Sequence, residues 1–128
     1  MSKVLLVADA SWVANEVRAG LSLGEWDIEE ISDPRLTTSL VKEKRPDAVI
    51  VDMQVGSMGG MAVIRGIRGE VDEADRPRTV LLLDRSADEF IARRAGADAF
   101  VLKPINASAL RTALQHGHQP SSDTKEEE

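Results

Sequence analysis

Asp47-Ala48-Val49-Ile50-Val51-Asp52 is a run of four apolar residues closed at each end by an acid. With no polar position inside it, the segment reads as a central strand buried on both faces. A strand of that kind needs cover on both sides, and the neighbouring sequence supplies it. Strand-like runs near 3–8, 26–31, 47–52, 79–83 and 98–102 alternate with stretches of helical spacing, the signature of a parallel sheet with helices on both faces. Val13, Val17 and Leu21 fit one helical face, Leu36 and Leu40 a second, and Met61, Ile64 and Ile67 a third. Phe90 and Ile91 fall in a short fourth helix, and Leu110 and Leu114 in a last one. The expectation is an α/β domain of five β/α units, with the alternating Trp26-Asp27-Ile28 at a sheet edge.

Punctuation supports those boundaries. Asp33-Pro34 pairs a capping acid with proline at the first helical position, Ser86 and Asn106 are candidate caps for the fourth and fifth helices, and Gly96 stops the fourth. Beyond Gln115 the apolar pattern ends. The chain therefore divides into a domain at 1–116 and an acidic tail at 117–128 that is expected to be disordered.

Composition excludes several kinds of function. A length of 128 residues suits one domain with a real core, and 42% hydrophobic with 30% charged residues is ordinary for a globular protein. The net charge of −6 argues against an electrostatic grip on nucleic-acid phosphates. With no cysteine, disulfides, thiolate metal sites and thiol catalysis are excluded. The apolar runs fall far short of the roughly 20 residues that cross a bilayer. Lys3 leads straight into Val4-Leu5-Leu6-Val7 without a signal pattern, so the expected location is cytoplasmic.

Chemistry gathers at the strand ends. Asp9 follows Val4-Leu5-Leu6-Val7, Asp52 closes the central run, Asp84 follows Leu82-Leu83, and Lys103-Pro104 follows Ala99-Phe100-Val101-Leu102. In an open parallel sheet, ligands bind beyond the carboxyl ends of the strands. Two carboxylates placed there repel unless a cation lies between them, and Mg²⁺, a hard ion that takes one or two carboxylates plus water and phosphate oxygens, suits the position. Lys103 adds a mobile point charge for a phosphoryl oxygen. Together these groups describe phosphoryl transfer onto an aspartate, with Asp52 as the nucleophile. Plainer roles stand beside these. Asp9 can be a turn former, Asp84 a helix cap, Phe100 a core residue, and Trp12 and Trp26 packing residues. His116 and His118 lack metal-site spacing, and Gly56, Gly59 and Gly60 lack the lysine of a nucleotide-binding loop.

Three segments carry a family likeness: Val4 to Asp9, Val51 to Gly60, and Gly96 to Pro104. In order, spacing and strand placement the chain resembles, over residues 2–116, a response-regulator receiver domain of the single-domain chemotaxis type. The resemblance implies a flavodoxin-like, doubly wound sheet of strand order 2-1-3-4-5 and a signalling role in place of an enzymatic one. It implies that Asp52 accepts phosphate from a sensor histidine kinase, a phosphotransfer protein or a small phosphodonor. Asp9, Asp52 and the backbone carbonyl of Gln54 would hold Mg²⁺, Lys103 would contact the phosphoryl group, and the Lys103-Pro104 peptide would be cis. Phe100 would be the aromatic switch. The face of the fourth helix, fifth strand and fifth helix would meet a downstream protein or a second copy of the chain, with no direct nucleic acid or membrane partner.

The sequence also departs from that family. Ala8 stands where a second acid usually precedes Asp9, which weakens the expected Mg²⁺ site. Asp84 stands where a Thr or Ser hydroxyl usually donates to the phosphoryl group. Losing that bond costs roughly 1–3 kcal/mol, and a like charge about 4 Å away costs about 4 kcal/mol at an effective dielectric of 20. Asp84 is therefore expected to oppose phosphorylation. It has three choices of partner: Lys103, Arg85 or the metal. The favoured expectation is the Lys103 pair, since both groups end adjacent strands. Gly56 replaces a usual proline, and the fourth helix is about three residues short. These departures keep a second function open, a phosphorylation-independent pseudo-receiver that serves as a protein interaction module.

Overall fold

A computed structural model describes residues 2–22, 24, 26–56 and 58–115. Five strands, β1 (Ser2–Val7), β2 (Trp26–Ile31), β3 (Ala48–Asp52), β4 (Arg78–Leu83) and β5 (Ala99–Leu102), pair in parallel in the order β2-β1-β3-β4-β5. Each crossover carries a helix: α1 (Ser11–Gly20), α2 (Thr37–Lys44), α3 (Gly60–Glu70) and α4 (Glu89–Ala95), with α5 (Ala107–Gln115) after the last strand. The expected strands shift by one residue at most where they shift at all, and β2 takes an edge as its alternation requires. All five residues of β3 are buried.

Alternation along the strands divides the core in two. Val4, Leu6, Ile50, Val80 and Leu82 point to one face, where α1 and α5 cover them with Val13, Val17, Leu110 and Leu114. Leu5, Val7, Val49, Val51, Leu81 and Leu83 point to the other, against Val41, Val63, Ile64, Ile67, Ala92 and Ala95 of α2, α3 and α4. Each fully buried Val, Leu or Ile contributes about 1.5–3 kcal/mol relative to exposure, so the sheet is fixed from both sides. Side chains also set register at the amino ends. Asp47 accepts from the Lys3 amide at 2.8 Å, and Asp98 accepts from the Thr79 amide at 2.8 Å. Of the two acids that flank the central run, Asp47 thus ties strands together, and Asp52 ends at the opposite edge.

Three local expectations change. Asp33 caps a 3-10 turn at Pro34–Leu36, ahead of α2 itself, by accepting from the Arg35 amide at 3.0 Å. Leu36 sits in that turn with 52% of its surface exposed, and Val41 fills the core position on the second helix in its place. Ser86 makes no cap: it opens another 3-10 turn, Ser86–Asp88, held by Arg85 on the buried Asp88 at 3.1 Å. Phe90 and Ile91 do fall in the short fourth helix, α4, where they face outward while Ala92 and Ala95 face the core. Asn106 does cap, accepting from the Ala109 amide at 3.0 Å, and Gly96 ends α4 at φ +96°, a left-handed value suited to glycine. The expected tail at 117–128, with His116, lies outside the described residues.

Candidate functional site

The parallel order sends the carboxyl ends of β1, β3, β4 and β5 to one edge, and Asp9, Asp52, Asp84 and Lys103 stand there. Asp52 is the last residue of β3, opposite Leu82 of β4. The chain turns at once beyond it: the Val55 amide donates to the Asp52 carbonyl at 3.0 Å, and the Gly60 amide to the Met53 carbonyl at 3.2 Å. That close return demands glycine, because a Cβ on Gly60 would lie 2.7 Å from the Asp52 carbonyl oxygen. Gly59, at φ +79°, makes the entry to α3.

Lys103 is the hub. Its Nζ lies 2.6 Å from Asp52 Oδ1 and 3.2 Å from Asp84 Oδ1. The Lys103 and Asp52 side chains are 7% and 2% exposed, and Asp84 is 36% exposed. The inner pair is thus shielded from water and the outer one faces it, which makes the Asp52 contact the stronger electrostatically. The Lys103 amide donates to the Leu83 carbonyl at 2.9 Å, and the Lys103-Pro104 peptide is cis as expected. The Asp84–Lys103 ion pair is therefore present. Arg85, the alternative partner, is engaged by Asp88.

Asp52 Oδ1 also accepts from the Gln54 amide at 3.1 Å. Among the described residues both hydrogen bonds to the Asp52 carboxylate fall on Oδ1 and none on Oδ2. Asp9 is exposed, and its Oδ2 accepts from the Gly56 amide at 2.8 Å. Among the described residues no group of three or more His, Cys, Asp or Glu side chains is gathered as a metal cage. Carboxylate oxygens and a backbone carbonyl are the hard donors that Mg²⁺ takes, and Asp9 and Asp52 at this edge are of that chemistry. Asp52, Asp84 and Lys103 sum to one negative charge before Asp9 is counted, so a cation at this edge is electrostatically favoured.

Phe100 stands apart from the cluster, partly buried on the α2–α4 side of the sheet, with the Arg93 guanidinium 5.5 Å from its ring centre. Two residues at the edge escaped the sequence reading. Trp12, expected as a partly exposed packing residue, is 52% exposed and lies with its ring centre 5.3 Å from Lys103 Nζ, a contact the sequence did not suggest. Glu16, one turn further along α1, accepts from the Ile105 amide at 3.1 Å. Their i, i+4 spacing directly after the β1 end was the available signal, since it puts both on one helix face.

Comparison with known proteins bears on the family and the fold. Residues 4–115 match the response regulator receiver domain. Response regulator MprA of Mycolicibacterium vanbaalenii is 34% identical over 114 residues, covering 88% of this chain and 48% of the relative. Transcriptional regulatory protein PrrA of Mycobacterium bovis is 31% identical over 109 residues, 84% of this chain and 46% of the relative. The chain spans about half the length of the curated relatives it matches. Among solved structures, chemotaxis response regulator CheY4 of Vibrio cholerae superposes with a TM-score of 0.76 at 25% identity, over 90% of this chain and 97% of that one. The receiver domain of sensor histidine kinase PA1611 from Pseudomonas aeruginosa, solved with magnesium in its active-site cleft, reaches 0.79 at 21% identity, over 91% and 96%.

The chain belongs to the response regulator receiver domain family. Its five-stranded 2-1-3-4-5 sheet is the flavodoxin-like receiver fold. Receiver domains are signalling modules of two-component systems, bind Mg²⁺ in the active site, and interact with histidine kinases or phosphotransfer proteins. No helix among the described residues is long and apolar enough to cross a membrane.

Proposed function

We propose that this chain, with its receiver unit at 1–116, accepts a phosphoryl group on Asp52 and relays its state through protein contacts. One observation carries the reading: the buried Asp52 carboxylate is met at 2.6 Å by a lysine from another strand end. Asp52 Oδ2 would attack the phosphorus of a phosphohistidine on a kinase or phosphotransfer protein, or that of acetyl phosphate. The bond from phosphorus to the donor's nitrogen or oxygen breaks as the acyl phosphate forms, and the leaving group departs with its electron pair. Lys103 would then follow the new phosphoryl oxygens. Asp9, Asp52 and the Gln54 carbonyl would hold Mg²⁺, and that ion would supply positive charge to offset the phosphate oxygens. That ion would be weakly bound, because Ala8 supplies no carboxylate and Asp9 is already engaged by the Gly56 amide.

Asp84 makes this receiver atypical. It contacts the same ammonium that the phosphoryl group would need, and its charge would repel an incoming phosphate. Phosphorylation would be slow for that reason. The same contact favours a second reading, a pseudo-receiver whose Lys103 is already satisfied and whose fold serves as an interaction module alone. In both readings the α4, β5 and α5 face is the proposed meeting surface for a downstream protein or a second copy. Phe90, Ile91 and Leu102 are exposed on it, and Phe100 is the proposed coupling residue beneath. The proposed location is the cytoplasm.

Incubation with Mg²⁺ and acetyl phosphate or phosphoramidate, followed by intact-protein mass measurement, separates the two. A gain of one phosphate that Asp52→Asn abolishes supports the receiver; no gain under forcing conditions supports the pseudo-receiver.

A further inference from the structure

An ammonium has three N–H groups to place. On Lys103 two meet Asp52 and Asp84, and the third side of the group faces the Trp12 ring, whose centre is 5.3 Å away. Trp12 lies outside both core clusters and leaves 52% of its surface exposed. Packing does not account for it. The negative face of an indole over a shielded ammonium does, and tryptophan is the aromatic that holds a cation best. Glu16 provides an independent observation. It sits four residues on, along the same face of α1, and accepts the Ile105 amide at 3.1 Å. One helix face therefore holds the Lys103-Pro104-Ile105 segment twice, by the lysine's charge and by the backbone two residues later.

We infer that Trp12 is a positioning residue for Lys103: its ring keeps the ammonium turned toward Asp52 and screens it from water. The inference rests on the receiver reading for its functional meaning, since an ammonium held in place is useful to a phosphoryl group arriving at Asp52. A freely swinging lysine would have to be ordered in each transfer. With Asp84 also drawing on the ammonium from the exposed side, the ring opposes its displacement outward.

Trace labelling of the whole chain with acetic anhydride, read by peptide mass spectrometry, tests the contact without needing phosphorylation. Lys3, Lys42 and Lys44 serve as internal standards, and their unchanged labelling verifies that each variant keeps the fold. Trp12→Ala and Trp12→Leu are expected to raise Lys103 labelling about three- to tenfold, while Trp12→Phe, which restores a ring face, stays within about twofold of the parent. Lys103 labelling unchanged in Trp12→Ala overturns the inference, and so does protection by leucine equal to that by phenylalanine. A second arm follows phosphate uptake from acetyl phosphate with Mg²⁺. Trp12→Ala is expected to slow uptake at saturating donor by a similar factor and to leave the half-saturating concentration unchanged; uptake at the parent rate overturns the inference. If the parent takes up no phosphate, the receiver reading fails, and the labelling arm alone decides whether Trp12 holds Lys103.

Discussion

At the scale of single residues, the site is a contest for donors. Lys103 serves Asp52 and Asp84 together, and Asp9 is held by a backbone amide that the usual proline at position 56 would lack. A Cβ on residue 56 would also come within 2.7 Å of Asp9 Oδ2, so the carboxylate and a side chain there exclude one another. Gly56→Pro should therefore release Asp9. Mg²⁺ affinity, measured by titration calorimetry, is expected to rise roughly three- to tenfold, the worth of one ordinary hydrogen bond of about 1 kcal/mol. Affinity equal to or below that of the parent would show that the Gly56 amide does not compete with the metal. Asp84 differs in kind, because its replacement by threonine removes a charge and restores a donor. Asp84→Thr is expected to speed phosphate uptake at least tenfold, read as the initial rate of mass gain, since the repulsion removed is of order a few kcal/mol.

At the scale of elements, β3 and the return that follows it locate Asp52. The strand was legible because a continuous apolar run is hard to place anywhere but the centre of a sheet, and Asp52 and Lys103 were legible because both end such runs. Less visible was whatever depends on contact between distant segments. Trp12 looked like a packing residue because its partner lies far along the chain, and only the sheet order brings α1 beside the end of β5. Leu36 misled in the opposite direction. Its spacing fits a helix face, but Asp33-Pro34 makes a 3-10 turn first and shifts the helical phase so that Val41 is buried instead. Ser86 was displaced as a cap by the Arg85–Asp88 pair. The return after Asp52 has its own test. Gly60→Ala would place a Cβ 2.7 Å from the Asp52 carbonyl oxygen and 2.8 Å from Met53 Cα, both main-chain atoms that cannot swing aside. Overpacking of that sort costs about 1–3 kcal/mol. Urea unfolding should show a midpoint lowered accordingly with the slope unchanged, and an unaltered midpoint would contradict the close approach.

At the scale of the whole molecule, two core layers fix the sheet so that four strand ends converge, and the exposed face of α4 and β5 lies on the flank of that edge. Such a scaffold can carry a phosphoryl switch or a fixed interaction surface, and the occupancy of Lys103 is what distinguishes them. The sharpest measurement is the intact mass of the parent, Asp52→Asn and Asp84→Thr after parallel incubation with Mg²⁺ and acetyl phosphate. The expected result is a slow gain of one phosphate in the parent, a faster gain in Asp84→Thr, and none in Asp52→Asn. A gain that persists without Asp52, or an Asp84→Thr chain that still takes up nothing, would contradict an atypical receiver held back by its own carboxylate.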